Sequence, residues 1–306
     1  MTPTITVIGG LTMDLTYFVD KWPTIGKAVQ AKSYKLAPGG KGLNQVTSLK
    51  RSGASVQFIG SVGNDTFSQE IFYEMEKDGL ETKNIFKFEM PTDLIGIIVD
   101  SLGMPGFIGI KQSTSKLSPQ DIESKIDIIQ KSNALLVNSE ISKETAIAAL
   151  KLAKEKGITT IFNPAPPELL PTEFYSFIDY LVLNSWEAKV ILGLDSLSTN
   201  QMAKELIKLG VKNVCITSGK EGCVMADSKG ITKFLAFSVK EVDETGAGDS
   251  FLGYFANSIS TGDNINTSIR IASAAGALAC TKVGGQTSPT AIEVSNFLDE
   301  NKDIKL

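Results

Sequence analysis

The 306-residue chain contains no histidine. This excludes Ser-His-Asp and Cys-His catalysis, HExxH zinc sites and imidazole proton shuttles together. Acid–base work falls to Asp, Glu, Lys or a cation-bound water. Cysteine is scarce too: Cys215, Cys223 and Cys280 stand among small or apolar neighbours, with no CxxC pair. They read as buried structural thiols of a reducing, cytoplasmic protein. No block of five or more Lys/Arg occurs and the net charge is −4. Nucleic acid and anionic membrane surfaces are therefore poor candidates as main partners. Long apolar runs are missing as well. The longest uncharged one, Ala274–Cys280, falls far short of the ~20 residues of a membrane span. No basic segment or apolar h-region precedes the strand-like run at Ile5, so no signal peptide is expected.

What is present is an α/β rhythm. Ile5–Gly10 reads as a buried strand, Val56–Ser61 as another, and Phe67–Lys77 as a helix capped at Asn64-Asp65. From Ser118 the alternation is regular. A helix runs from there to about Lys131, with Pro119 at its first position and Asp121 at capping-box spacing. Then come strand Ala134–Asn138, helix Lys143–Lys156, strands Thr159–Phe162 and Tyr180–Leu183, helix Asn200–Leu209 and strand Asn213–Thr217. Helices Asp249–Ser260, Asn264–Lys282 and Thr290–Glu300 follow a hairpin over 222–237. This order predicts an α/β fold, a central mostly parallel sheet with helices on both faces. Two β-only patches interrupt it, at about 11–37 and 92–112. Their mixed polar and apolar residues suit a small, partly exposed sheet standing off the main domain. Polar or small residues follow each strand: Glu140, Asn163, Asn184, Glu187, Thr217 and Gly219. Open parallel sheets bind ligands at the carboxyl ends of their strands, so these residues are expected on one rim.

Two glycine clusters carry the chemistry. Asp243-Glu244-Thr245-Gly246-Ala247-Gly248-Asp249-Ser250-Phe251 sets a carboxylate inside a turn that opens a helix. Free N–H groups and the helix dipole there favour an anion. A carboxylate beside a bound anion makes sense if Asp249 takes a proton from a nucleophile. From the turn alone, an acid-rich helix cap fits as well. Pro38-Gly39-Gly40-Lys41-Gly42-Leu43-Asn44-Gln45 leads into a helix-like stretch from Asn44 to Ser52. It lacks the GxxxxGK[ST] spacing of a P-loop. Taken singly, Lys41 reads as a solvated loop lysine, Glu140 as a strand-end acid and Thr217 as a hydroxyl satisfying backbone.

Together these motifs resemble the ribokinase-like carbohydrate kinase family. Gly39–Gln45 and Asp243–Phe251 match its two signatures. Asn163-Pro164-Ala165-Pro166, Asn184-Ser185-Trp186-Glu187 and Thr217-Ser218-Gly219 match family positions between them, in order. The resemblance covers nearly the whole chain, implying a single domain over 1–306 whose β-only patches form a lid. It implies transfer of the γ-phosphoryl group of ATP to a primary hydroxyl of a small sugar, foremost D-ribose to D-ribose 5-phosphate. Asp249 would be the base, with the N–H groups of Gly246, Ala247 and Gly248 as the anion hole. Asp14, Gly40, Lys41, Asn44 and Glu140, with Asp249, would bind the sugar. Asn184, Thr217, Gly219 and Gly248 would meet the nucleotide. Glu187 would help hold Mg²⁺ through water. Asp243, Thr245, Ala279, Lys282, Gly284 and Ser288 would form a K⁺ site. Lids of two chains clasp in the family, which implies a homodimer.

Three positions depart from the ribose-phosphorylating members. Thr12 stands for an Asn, Leu43 for a small residue, and Ser113-Thr114-Ser115 for a Gly-Ala-Asn stretch. All are expected near the sugar, so they bear on its identity. A nucleoside (adenosine) kinase of the same family, with Phe18 or Phe107 as a base-stacking wall, is one alternative. Another sugar kinase of the family is a second, and a catalytically silent sugar or nucleotide sensor a third.

Overall fold

The computed structural model describes residues 2–304. From the N-terminus the chain forms β1 (Thr4–Ile8), β2 (Thr12–Val19), β3 (Ala31–Gly39), α1 (Lys41–Arg51), β4 (Ser55–Gly63), α2 (Thr66–Lys77) and β5 (Ile85–Phe88). Then follow β6 (Asp93–Val99), β7 (Pro105–Ile110), α3 (Pro119–Glu123), α4 (Ile126–Ile129), β8 (Ala134–Asn138), α5 (Lys143–Glu155) and β9 (Thr159–Asn163). The C-terminal half adds β10 (Tyr180–Asn184), α6 (Ser185–Leu192), α7 (Thr199–Lys208), β11 (Asn213–Thr217), β12 (Cys223–Asp227), β13 (Gly230–Phe234), α8 (Ala247–Thr261), α9 (Ile265–Ala279) and α10 (Ala291–Glu300). Nine strands make one sheet in the order β13-β12-β11-β10-β9-β8-β1-β4-β5. All neighbours are parallel except at the β11-β12-β13 edge.

The pleat divides the core. In β8, Ala134 and Leu136 join one apolar cluster, while Leu135 and Val137 join another across the sheet. Successive strand side chains point to opposite faces, so a strand buried on both reads as a mostly apolar run. The first cluster takes Val46 and Leu49 of α1, Phe255 of α8, Ala272 of α9 and Val294 of α10. The second takes Ile122 of α3, Ile129 of α4, Leu150 of α5, Ile191 of α6 and Leu206 of α7. Burying each Leu, Ile or Phe contributes about 1.5–3 kcal/mol.

The helix expected over 118–131 is two short ones: Lys125 adopts a non-helical conformation (φ −104°, ψ 14°) between α3 and α4. The strand β5 was not evident from the residues. None of its four positions is fully buried, since it edges the sheet beside β4.

A second sheet has the order β3-β2-β6-β7. β2 runs antiparallel to β3 and parallel to β6, while β7 returns antiparallel on β6. Register sorts its two faces. Tyr17 opposes Tyr34 and Leu15 opposes Leu36 in β2 and β3, and Ile108 opposes Gly96 across β6 and β7. Tyr34 (71% exposed), Leu36, Ile108 and Ile110 are open to solvent. The alternate positions of β2, including Asp14 and Phe18, lie on the other face.

Candidate active site

Strand register places the polar residues side by side. Asn138 at the end of β8 pairs directly with Asn163 of β9, and Asn184 of β10 with Thr217 of β11. On the far side of β8, β1 ends in Gly9-Gly10, where the chain crosses the start of α1. A Cβ on Gly42 would lie 2.5 Å from the Gly10 carbonyl oxygen, so only glycine lets the two backbones touch.

The helix begins at Lys41, earlier than Asn44, with Gly40 as its cap at φ 94°. Gly40 has no side chain to cap with, and Glu140 does this from a distant loop. Its Oε2 accepts the N–H of Lys41 at 2.7 Å and of Gly42 at 3.4 Å. The early start turns Lys41, Asn44 and Gln45 inward on one helix.

Asp249 is the third residue of α8 and is buried. Asn44 Nδ2 donates to its Oδ2 at 3.1 Å, and Gln45 Nε2 to its Oδ1 at 2.9 Å. Close helix packing allows this: a Cβ on Gly253 would lie 2.3 Å from Ser48 Oγ, and that hydroxyl donates to the Ser250 carbonyl. Gly246, the helix cap, has φ 78°, and a Cβ there would lie 2.1 Å from the Gly285 carbonyl oxygen. Of the three amides expected in the anion hole, that of Ala247 donates to the Glu244 carbonyl at 3.1 Å. Those of Gly246 and Gly248 have no protein acceptor among the described residues, and a Cβ on Gly248 would meet open space.

Charge is arranged around Lys41. The Asp249 carboxylate holds its ammonium in the protonated form most strongly; burial opposes this, and Glu140 and Glu187 add to it. Burial pushes Glu140 up to about 7, against the pull of Lys41. Burial also raises Asp14, and the Thr12 hydroxyl, donating to Asp14 Oδ1 at 2.8 Å, partly offsets it. Asn44 Oδ1 is buried with no partner among the described residues. Buried acceptors without a partner are uncommon and mark candidate ligand contacts.

Asn184 and Glu187 close a capping box at the start of α6. Asn184 Oδ1 accepts the Glu187 N–H at 2.8 Å, and Glu187 Oε2 accepts the Asn184 N–H at 2.7 Å. The Asn184 oxygen and one Glu187 oxygen thus serve the cap. Burial raises Glu187. No group of three or more His, Cys, Asp or Glu suited to a metal occurs among the described residues. One free carboxylate oxygen fits a Mg²⁺ that keeps most of its water and is held chiefly by phosphates. Thr217 Oγ1 makes a long contact to the Leu183 carbonyl at 3.4 Å, and Gly219 opens a short turn at φ 51°.

The 243–245 turn and the 279–288 loop are tied together. Asp243 Oδ1 accepts the Thr245 N–H and Oδ2 the Gly284 N–H, both at 2.9 Å. Burial would raise this carboxyl, but those donors hold it below its ordinary value. Lys282 turns its ammonium to Glu293 at 2.8 Å, and the Ala279 carbonyl accepts the Lys282 N–H. Arg51 takes the Ser288 carbonyl at 2.9 Å, while Ser288 Oγ and Thr287 Oγ1 are buried without partners among the described residues.

Two expectations about the sugar pocket fail. Leu43 is 1% exposed and packs in the main core, because one helical step turns it about 100° from Asn44. Ser113 and Thr114 are buried around Asp93, which accepts from the Ser113 hydroxyl and from the N–H and hydroxyl of Thr114. They anchor the root of the small sheet. Thr12 alone of the three departures touches a candidate sugar ligand. Gln45 and Asn138 were missed as site residues, although Gln45 lies in the quoted glycine motif. A glutamine's buried amide gives no local pattern that separates it from a helix-surface one.

The model of the pfkB family carbohydrate kinases matches residues 2–292. A ribokinase of Lactococcus lactis is 31% identical over 299 residues, covering 97% of each chain. A deoxyribokinase of Salmonella typhi is 27% identical over 297 residues, covering 95% of this chain and 97% of its own. The crystal structure of a Thermotoga maritima ribokinase superposes with a TM-score of 0.89 at 31% identity, covering 97% of this chain and 99% of its own.

Proposed function

This chain belongs to the pfkB family of carbohydrate kinases, and we propose that it phosphorylates the primary hydroxyl of D-ribose with ATP. The observation that carries this reading is the Asp249 carboxylate, fixed by Asn44 and Gln45 beside two open amides of the Gly246–Gly248 turn. Asp249 takes the hydroxyl proton as that oxygen bonds to the γ-phosphorus. The bond to the β-bridging oxygen breaks and ADP leaves. The amides of Gly246 and Gly248, joined by that of Ala247 when it leaves Glu244, meet charge on the transferring group. Lys41 offsets the crowd of negative charge. Asp14, Gly40, Lys41, Asn44 and Glu140 bind the sugar; carboxylates accept from its hydroxyls. Asn184, Thr217, Gly219 and Gly248 line the nucleotide side.

Glu187 would help hold the Mg²⁺ of the nucleotide through water, and the metal, when bound, would neutralise phosphate oxygens. A K⁺ ion would sit between the 243–245 turn and the 279–288 loop, among carbonyls and the hydroxyl of Ser288. With its ammonium on Glu293, Lys282 offers only its carbonyl. The four-stranded sheet serves as a lid on one 1–306 domain. Its outer face of Tyr34, Leu36, Ile108 and Ile110 suits a homodimer clasp, since exposed apolar patches mark interfaces. We place the enzyme in the cytoplasm, where ATP and reduced thiols coexist.

The second reading is 2-deoxyribose. Thr12 occupies one oxygen of Asp14, leaving that carboxylate fewer lone pairs for sugar hydroxyls. ADP release with D-ribose, 2-deoxyribose, fructose, 2-keto-3-deoxygluconate and adenosine decides. The proposal requires D-ribose to have the highest kcat/KM. Preference for 2-deoxyribose would establish the second reading. Preference for adenosine would overturn both, and tight sugar binding without turnover would mark a sensor.

A further inference from the structure

Gln45 is fully buried one residue beyond Asn44. Its Nε2 donates to Asp249 Oδ1 at 2.9 Å and to Asn163 Oδ1 at 3.1 Å. Its Oε1 accepts from Asn138 Nδ2 at 3.0 Å. Main-chain groups fix this order at both ends. Asn138 Oδ1 takes the Glu140 N–H at 3.1 Å, so the Nδ2 of Asn138 must face Gln45. Asn163 Nδ2 donates to the Val182 carbonyl at 2.9 Å, so its Oδ1 must face Gln45. Flipping the Gln45 amide would set donor against donor at Asn138, and acceptor against acceptor at both Asn163 and Asp249. The relay therefore has one orientation, and it always presents a donor to Oδ1 of Asp249.

We infer that Gln45 is a positioning residue for the base: it holds Oδ1 of Asp249, leaving Oδ2 to take the substrate proton. The inference rests on Asp249 being that base. Oδ2 receives the Asn44 amide at 3.1 Å, and the unpartnered Oδ1 of Asn44 lies on the same amide. Together they frame the place of the reacting hydroxyl. The relay begins at the main chain of Glu140, whose carboxylate also caps α1. So the sugar-binding loop, the helix that carries Asn44 and the base form one hydrogen-bonded unit across β8, β9, α1 and α8. A chain of buried amides holds a carboxylate in place without adding charge beside it.

Gln45→Met keeps the length and approximate volume and removes the amide. Its kcat with D-ribose should fall about 10- to 100-fold, the range for losing a hydrogen bond to a charged group. KM for ATP and for sugar should stay within about threefold. If Gln45→Met does not fold, Gln45→Glu keeps the acceptor for Asn138 and loses the donor, and should lose at least as much kcat. A double-mutant cycle with Asp249→Asn separates positioning from general damage. In the Asp249→Asn background, Gln45→Met should cost less than about threefold further. Unchanged kcat in the Gln45 variants, or losses that multiply in the double variant, would overturn the inference and leave Asp249 as base. Near-parental turnover of Asp249→Asn alone would instead overturn the base assignment and this inference with it.

Discussion

Glu140 caps α1 and, in the proposed reaction, receives the sugar; these duties pull against each other, and replacing it with glutamine separates them. Burial lifts its carboxyl from 4.5 to about 7. A carboxyl raised in the folded state contributes stability below about pH 4.5 and loses it as pH rises through about 7. The ionised, sugar-free protein at pH 8 therefore carries a penalty approaching about 3 kcal/mol. Glu140→Gln removes that penalty and keeps an amide oxygen for the Lys41 and Gly42 N–H groups. Its Tm at pH 8 should rise by roughly 5 °C, with the gain vanishing below about pH 4.5. Sugar binding should respond the other way. For a carboxyl titrating at about 7, the ionised fraction drops from about nine-tenths at pH 8 to about one-tenth at pH 6. If the ionised form receives the sugar hydroxyls, the Kd for D-ribose rises about tenfold over that interval. Isothermal titration calorimetry at pH 6, 7 and 8 measures it directly. In Glu140→Gln the Kd should be weaker at pH 8 and flat with pH. A parent Kd constant within twofold from pH 8 to pH 6, or a slope that survives in Glu140→Gln, would refute the reasoning. So would a variant less stable than the parent at pH 8.

Three further outcomes follow from the same geometry. Asp249→Asn should lower kcat by roughly 10²-fold or more, the scale of general base catalysis, while the Kd for ATP by calorimetry stays within a few-fold. Exhaustive removal of monovalent cations should lower turnover, KCl should restore it, and Asp243→Ala should blunt the restoration, because Asp243 ties Thr245 to Gly284; turnover indifferent to K⁺ would remove that site. Gly42→Ala places a methyl 2.5 Å from the Gly10 carbonyl oxygen, so chemical denaturation should show a loss of about 1–3 kcal/mol, the usual cost of forcing atoms into packed space.

Parallel strands and their polar ends were readable because both follow from one rule. A strand buried on both faces is mostly apolar, so Asn138, Asn163, Asn184 and Thr217 announce where each strand stops. The cap of α1 was not readable. Glycine gives no capping side chain, and Glu140, which does the work, lies 99 residues from the Lys41 amide it accepts. Leu43 shows the converse error. Its neighbours in the motif reach the site, but one helical step turns it about 100° away, into the core. Position in a motif fixes proximity in the chain, and helical phase decides which side chains share a face.

With no histidine in the chain, the proposed base is a carboxylate held by hydrogen-bonded scaffolding. An imidazole titrates near neutral pH and serves as a base over a range of geometries, whereas aspartate ordinarily loses its proton near pH 4. In the proposed reaction the carboxylate takes the hydroxyl proton as the oxygen commits to phosphorus, when the hydroxyl becomes acidic. Timing then depends on distance and direction. Two amides, from Asn44 and Gln45, fix the carboxylate of Asp249. Lys41 compensates Asp249, Glu140 and Glu187 at once, so three acids can crowd the place where the proposed reaction puts a triphosphate. In the proposed reaction, removing Lys41 would take away the cation that Asp249, Glu140 and Glu187 act on together. Lys41→Met should therefore weaken ATP and sugar binding together, whereas Gln45→Met should leave both in place and lower turnover alone.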